Sequence, residues 1–273
     1  MEDSIIEILQ IYGWTGLFLL GFLLFAFIVG SLKKDNSVMD VFYGWGFILV
    51  AWSTFLLKGT FGIRQIIVTI LVTIWGIRLS TYVLIRNWGK GEDKRYQNMR
   101  ERWGNKVLIN SLFRIYLFQG LIIFLVVFPV SFINVSNNIP LDRLISLSTL
   151  TLIMGSLVWL FGFLFETIGD IQLYRFLSDP SNKGKVFDRG LWRYTQHPNY
   201  FGEVTQWWGL NIVSLGIPYG FITIFGPIII TYMIINVSGV RLLNKRFEGD
   251  SEYAKYKRRT SQFIPLPPKK EKD

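Results

Sequence analysis

Long uncharged apolar runs, separated by short charged loops, are the feature that most constrains how this chain can fold. A run of about 18 or more apolar residues is typical of a transmembrane helix. Within hydrocarbon every backbone N–H and C=O must pair inside the protein, so each run is predicted to be a helix rather than an open strand. The alternation typical of membrane barrels is missing. We therefore predict an all-α, polytopic transmembrane helix bundle that forms a single integral membrane domain over residues 1–273.

About seven runs meet this criterion. The amino terminus carries acids and no early Lys or Arg, so we interpret the first run as a retained span rather than a cleaved signal peptide. The last two runs are short, rich in Gly and Trp, and separated only by Ile217-Pro218, so a bent hairpin that does not fully cross is an alternative. The predicted spans are 14–32, 41–57, 66–84, 112–133, 144–168, 200–215 and 217–237.

The distribution of basic residues predicts the orientation. With seven spans, 25 of the 29 Lys and Arg residues fall in segments that share one side, and three fall on the other. The positive-inside rule then places the amino terminus outside and the carboxyl terminus in the cytoplasm. It also explains the net charge of +10 without a nucleic-acid partner. We see no transit-like or ER-retention signal, which favours a bacterial cytoplasmic membrane.

Two residue counts exclude whole classes of chemistry. The chain has no cysteine, which excludes disulfides and thiolate catalysis. Its one histidine, His197, argues against a metal centre built from imidazoles.

The segment before the sixth predicted span combines bases, amides and aromatic residues. Pro198 suits the first turn of a helix, and such a helix start favours a bound phosphate. Asn199 and Glu203 lie four residues apart and share a helix face, which Gln206 extends. Interfacial anchoring would explain the neighbouring bases and Trp192, but it does not require a carboxylate inside a span.

Glu166 and Asp170 close the fifth predicted span, also four residues apart. A carboxylate at bilayer depth costs about 2.5–3.5 kcal/mol on insertion scales, so it normally faces a polar cavity or a partner. Arg175 is a possible partner on the next turn, and a hydrated Asp170 at the interface is the alternative. We therefore expect Glu166 to be functional.

Polar residues also enter the second and third predicted spans. Arg78 lies within the third, and we expect Asp40 or Glu166 to pair with it, either structurally or beside a substrate. Asp40 also lies beside Tyr43, and an acid next to a phenol can protonate a carbonyl-conjugated substrate. A cap at the membrane interface is the alternative for Asp40.

Two charged cytoplasmic segments complete the pattern. Residues 88–96 are either a solvated loop or a lid over a bound anion. The segment 253–259 interleaves aromatic residues with bases, so Tyr253, Tyr256 and Arg258 either bind a purine and phosphates or form a basic membrane-surface helix. The Pro-rich end from residue 265 is expected to fray. These clusters favour a polyanionic nucleotide entering from the cytoplasm and a lipid entering from the bilayer.

Several motifs occur together in this chain. They are Trp75-Gly76-Ile77-Arg78-Leu79, Glu166 with Asp170-Ile171-Gln172 and Arg175-Phe176, Gly190-Leu191-Trp192-Arg193-Tyr194, His197-Pro198-Asn199-Tyr200-Phe201-Gly202-Glu203, Trp207-Trp208-Gly209, and Tyr253 with Tyr256-Lys257-Arg258-Arg259-Thr260 and Phe263-Ile264-Pro265. This set resembles the bacterial DUF1295 group within the steroid 5-alpha-reductase-like membrane proteins. The resemblance covers most of the chain and is strongest after residue 160.

What this resemblance implies is a seven-helix reductase that uses NADPH to deliver hydride to the beta carbon of an enone. The implied cofactor-binding half covers about 160–265, with Asn199 and Glu203 at the nicotinamide end. Trp75 stands where that family has a substrate-side Tyr, which leaves the lipophilic substrate open. Together with the residue-level arguments above, we predict Glu203, Asp40 and Tyr43 as catalytic residues. The predicted cofactor-binding residues are Asn199, Glu166, Asp170, Arg175, Lys185, Arg193, Tyr194, His197, Arg241, Tyr253, Tyr256 and Arg258.

Two other interpretations remain at this point. Membrane methyltransferases of the isoprenylcysteine and phospholipid type, which use S-adenosylmethionine, have a similar His-Pro-x-Tyr-x-Gly segment, although they usually show Arg where this chain has Gln196. A non-enzymatic lipid-binding or scaffolding membrane protein is the third possibility.

Overall fold

A computed structural model describes residues 2–137, 146–240 and 249–269. Within these ranges the chain is helical, with no strand and one isolated bridge between Thr195 and Ser261. The predicted all-α class is therefore confirmed for the described residues. The helices are α1 Glu2–Lys33, α2 Val38–Lys58, α3 Ile63–Asn87, α4 Lys94–Trp103, α5 Val107–Ser111, α6 Phe118–Val126, α7 Phe128–Val135, α8 Leu147–Ser178, α9 Pro198–Ser214, α10 Phe225–Tyr232 and α11 Ser251–Arg259.

Six helical segments of the described chain are long and apolar enough to cross a membrane. They are Ile5–Lys33, Val38–Lys58, Ile63–Asn87, Lys94–Val126, Leu147–Ser178 and Gly220–Val237. The sixth predicted span corresponds to α9, which has 17 residues and is not among the six. The sharp break after it is confirmed, because the Ile217 and Gly220 amides donate to the Ser214 and Ile217 carbonyls.

The described residues form two compact units. The first contains Met1–Ser148 and Ser214–Gly226. In this unit Lys58 at the end of α2 pairs with Glu7 near the start of α1 at 2.8 Å, as expected for neighbouring antiparallel helices. The α2 and α3 backbones approach closely at two glycines, where a Cβ on Gly44 would lie 2.5 Å from the Gly76 carbonyl oxygen. Small residues permit this contact in lipid, where apolar burial alone gives little driving force.

The second unit contains Thr149–Val213 and Pro227–Asp273, and glycines also bring its two main helices together. On α8, glycines recur every seven residues along the face that meets α9. A Cβ on Gly162 would lie 2.6 Å from the Gly202 carbonyl oxygen, and one on Gly155 would lie 2.6 Å from that of Gly209. The polar side chains on these faces are consequently held at short range.

Candidate functional site

Two carboxylate–amide pairs join α8 to α9. Asn199 Nδ2 donates to Asp170 Oδ1 at 3.0 Å, and Gln206 Nε2 donates to Glu166 Oε2 at 2.6 Å. The carboxylates are nearly inaccessible, with Glu166 2% and Asp170 4% exposed. Each amide therefore offsets part of the cost of burying its carboxylate. Glu203 is half-buried on the α9 face that carries Asn199 and Gln206.

The side-chain carbonyl oxygens of these two amides are available as hydrogen-bond acceptors. Asn199 Oδ1 and Gln206 Oε1 are buried and have no hydrogen-bond partner among the described residues. An unsatisfied buried acceptor costs about 1–3 kcal/mol, so such atoms mark places where a donor group would be stabilising. The site can thus receive N–H or O–H donors from a ligand.

The loop before α9 is fixed by contacts to both neighbouring helices. Trp192 Nε1 donates to the Gly169 carbonyl at 3.0 Å, and Tyr256 Oη donates to the Trp192 carbonyl at 2.6 Å. Gly190 has φ of +59°, and a Cβ there would lie 2.5 Å from Gln172 Nε2. Glycine suits that turn, because the backbone is left-handed and a Cβ would displace the Gln172 side chain that accepts from the Leu191 amide.

His197 is 2% exposed and lies directly before α9. Its ring stacks on Tyr200 with centroids 5.4 Å apart, and neither ring nitrogen has a partner among the described residues. Burial, with a smaller contribution from the charge of Lys257, lowers the pKa of His197 to about 4. The imidazole is therefore neutral at physiological pH.

The carboxyl-terminal tail folds back onto this loop. The Gln196 amide donates to the Ser261 carbonyl at 2.8 Å, and the Leu266 amide donates to the Tyr194 carbonyl at 3.0 Å. The Lys269 amide then donates to the Arg259 carbonyl at 2.9 Å, so the tail closes a loop on the end of α11. The expected fraying is thus wrong as far as Lys269, because backbone hydrogen bonds hold the segment.

Between the tail and α11 lies a cleft of about 470 Å³. It is lined by four basic residues and by the buried Gln196, whose Oε1 has no partner among the described residues. Arg259 is ion-paired with Asp188. The cleft is therefore a strongly cationic site with a polar floor. Its four bases are Lys257, Arg258, Arg259 and Lys269.

The other predicted cofactor residues divide by exposure. Tyr253 and Tyr256 are buried, 7% and 3% exposed, so they support α11 and do not present a ring face to the cleft. Arg258 does line the cleft. Arg241 lies outside the described residues. Four of the predicted residues are exposed to solvent, namely Arg175, Lys185, Arg193 and Tyr194.

In the first unit, Asp40 is the centre of a separate polar cluster. Its carboxylate accepts hydrogen bonds from Tyr96 Oη at 2.5 Å and from Arg95 Nη2 at 3.1 Å. Gln119 Nε2 donates to Tyr96 Oη at 3.3 Å, so the phenol has a donor and an acceptor partner. The phenol bonded to Asp40 is therefore Tyr96, on α4. Tyr43 packs edge-on against Phe47 with centroids 5.0 Å apart.

The segment 88–96, predicted as a solvated loop or a lid, is tied to its surroundings. Asp93 caps α4 by accepting from the Arg95 amide at 2.9 Å, and Glu92 pairs with Arg100 at 2.9 Å. Arg78 lies over the Tyr82 ring, with its guanidinium carbon 5.5 Å from the centroid.

Several residues of these clusters were not predicted as site residues, namely Arg95, Tyr96, Gln119, Gln196, Lys257, Arg259 and Lys269. A signal for Tyr96 did exist, because Asp93 followed by strong helix formers is typical of a capped helix start. No local signal marks Gln196 or Lys269, because the cleft forms only when the tail returns to α11.

Comparison with known proteins identifies a family for this chain but no individual related protein. No curated protein and no solved structure matches the chain. A family model described as a protein of unknown function, DUF1295, matches residues 26–260. That match includes both polar clusters and half of the residues that line the cationic cleft. The chain therefore belongs to the DUF1295 family.

Proposed function

We propose that this chain is a membrane-embedded, NADPH-dependent reductase of a carbon–carbon double bond conjugated to a carbonyl in a lipophilic substrate. The second unit would bind the cofactor. The resemblance of its motifs to the steroid 5-alpha-reductase-like proteins led to this proposal, and the polar groups of that unit give it physical support.

The positive charge of the cleft is the observation that most supports the proposal. Lys257, Arg258 and Lys269 have no ion pair with any described residue, so the cleft favours a polyanion. NADPH carries a pyrophosphate and a 2′-phosphate. S-Adenosylmethionine has no phosphate and carries a positive sulfonium, which such a cleft would repel. The reductase is therefore favoured over the methyltransferase.

The amides of α9 fit the other end of the same cofactor. The free acceptors Asn199 Oδ1 and Gln206 Oε1 complement donor groups such as the carboxamide N–H of nicotinamide. Asp170 and Glu166 orient these two amides through the hydrogen bonds described above. The nicotinamide, when bound, would supply the hydride.

The first unit supplies a second polar cluster, and the catalytic role predicted for Asp40 and Tyr43 stays a prediction. Tyr96 Oη donates to Asp40 and accepts from Gln119, and Arg95 balances the Asp40 charge. An acid paired with a phenol is suited to general-acid chemistry. In this cluster Asp40 holds the Tyr96 phenol, and Tyr43 packs against Phe47.

We also propose seven spans, with α9 as the additional crossing, the amino terminus outside and the carboxyl terminus in the cytoplasm. The distribution of Lys and Arg supports this orientation, because 25 of the 29 basic residues then lie on the cytoplasmic side. A bacterial cytoplasmic membrane fits this arrangement.

The proposal is tested by ligand-dependent thermal stability of the detergent-purified protein. A ligand at about 100 times its Kd stabilises the fold by about 2.7 kcal/mol, enough to raise Tm measurably. We expect NADPH to raise the Tm of the wild type and S-adenosylmethionine to leave it unchanged. Asn199→Ala and Glu203→Ala should lose most of the NADPH response.

Asn110→Ala is the matched control, because Asn110 lies on α5 and its side chain, among the described residues, bonds only the Lys106 carbonyl one turn earlier. It should respond to NADPH like the wild type. An absence of any NADPH shift in the wild type would remove the reductase assignment. A shift with S-adenosylmethionine alone would establish the methyltransferase instead.

A further inference from the structure

The cleft beside the tail carries more positive charge than a pyrophosphate needs. A pyrophosphate diester brings about two negative charges, and a phosphate monoester adds about 1.5–2 more at pH 7. Three cleft bases, Lys257, Arg258 and Lys269, have no ion pair with a described residue, and the paired Arg259 lies beside them. This excess matches the adenosine end of a dinucleotide that carries a 2′-phosphate, and it exceeds what NADH would neutralise.

The floor of the cleft is also suited to a nucleoside. Gln196 is 3% exposed, and its Nε2 donates to the Thr260 carbonyl at 2.7 Å, which fixes the side chain. Its Oε1 has no partner among the described residues. A ribose hydroxyl or an adenine amino group would supply the missing donor. The cleft volume of about 470 Å³ lies within the usual range of small-molecule sites.

The fold of the tail places one of the bases. Because the Lys269 amide bonds the Arg259 carbonyl at 2.9 Å, the end of the tail returns to the last turn of α11. Arg258 is exposed on that turn, so the two side chains line the same cleft although 11 residues separate them in sequence. Gln196 meanwhile anchors the beginning of the tail at Ser261 and Thr260.

We propose that this cleft binds the 2′-phosphorylated adenosine end of NADPH, and that Arg258 and Lys269 distinguish NADPH from NADH by binding the 2′-phosphate. This inference rests on the proposed reductase function and deepens it, because it assigns cofactor specificity to the carboxyl-terminal tail. Gln196 then positions the nucleoside, and Lys257 adds positive charge to the cleft.

Binding of cofactor fragments tests the inference without relying on turnover. Adenosine 2′,5′-bisphosphate, 5′-AMP and inorganic phosphate are titrated against the full-length protein in detergent, alongside NADPH and NADH. We expect the wild type to bind the bisphosphate at least about tenfold more tightly than 5′-AMP, the factor expected from one or two charge-assisted hydrogen bonds. Arg258→Ala and Lys269→Ala should each remove most of that preference. Each should weaken NADPH binding by about tenfold and leave the affinity for NADH nearly unchanged.

Lys255→Ala is the matched control, since Lys255 lies on the same helix, is exposed and pairs with Glu252 away from the cleft. It should leave all five affinities unchanged. Equal weakening of NADPH and NADH in Arg258→Ala and Lys269→Ala, or equal binding of the bisphosphate and 5′-AMP by the wild type, would overturn the specificity assignment while leaving the reductase standing. Failure of the wild type to bind either dinucleotide would instead remove the proposed function.

Discussion

At the scale of single residues, the burial of His197 links the stability of the second unit to pH. The ordinary histidine pKa is 6.5, whereas burial and then Lys257 lower the pKa of His197 to about 4. Between these values the unfolded chain binds a proton that the folded chain excludes. His197 therefore costs nothing above pH 6.5 and destabilises the fold progressively as the pH falls toward 4, by up to about 3 kcal/mol.

His197→Phe tests this linkage, because a phenyl ring retains the stack on Tyr200 and cannot be protonated. Thermal unfolding in detergent would be compared at pH 7.5 and pH 4.5. We expect acidification to lower the Tm of the wild type more than that of the variant. An equal loss in both proteins would show that His197 is not protonated on unfolding in this range.

The sequence indicated which polar residues would be buried more readily than it indicated their hydrogen-bond partners. The costly burial of Glu166 and Asp170 was predictable, since acids at bilayer depth need polar partners. That the partners are Gln206 and Asn199 required the register of α8 against α9. Asp40 was likewise paired with the nearby Tyr43 in the sequence, whereas the structure bonds it to Tyr96, 56 residues away. Proximity along a chain is a weak guide to such long-range contacts.

At the scale of elements, the glycine contact between α8 and α9 determines whether their polar pairs form. A Cβ on Gly202 would clash with the Glu166 amide nitrogen and would lie 2.6 Å from the Gly162 carbonyl oxygen. Both atoms belong to rigid helix backbone, so Gly202→Ala should separate the helices. We expect a loss of about 1–3 kcal/mol in stability, the usual cost of overpacking, measured by thermal or denaturant unfolding.

Gly21→Ala is the control for helix propensity alone, because nothing lies within 4 Å of a Cβ at Gly21 in α1. Alanine is the better helix former by up to about 1 kcal/mol, so this variant should be neutral or slightly stabilising. A harmless Gly202→Ala would mean that the helices are not in close contact there.

The glycine spacing on α8 is visible in the sequence, but its meaning depends on a second helix. Gly155, Gly162 and Gly169 recur every seven residues, which places them on one face. Only the observed packing shows that Gly202 and Gly209 are their counterparts. By contrast, the start of α4 could be predicted from the local sequence, because Asp93 is an ordinary N-cap that accepts a hydrogen bond from the Arg95 amide.

At the scale of the whole molecule, hydropathy predicted the class and most helices, because lipid leaves a chain few alternatives to helix. It could not predict the course of the tail. Residues 260–269 are polar and Pro-rich, features typical of a frayed terminus, yet five of their backbone amides and carbonyls bond residues 194–196 or 259. The ordered tail depends on its hydrogen bonds to residues 194–196, so composition alone predicts the wrong result.

The orientation and the status of α9 can be tested together, because the chain has no cysteine and single cysteines report accessibility without background. In intact cells, a membrane-impermeant maleimide should label Thr60→Cys and leave Lys90→Cys unlabelled until the membrane is opened. Pro218→Cys is the decisive position, since it is exposed at the sharp turn between α9 and α10. Seven spans place that turn outside, so we expect labelling comparable to Thr60→Cys. If Pro218→Cys stays protected while both reference positions behave as expected, α9 does not cross, and the last two helices form a hairpin within the membrane.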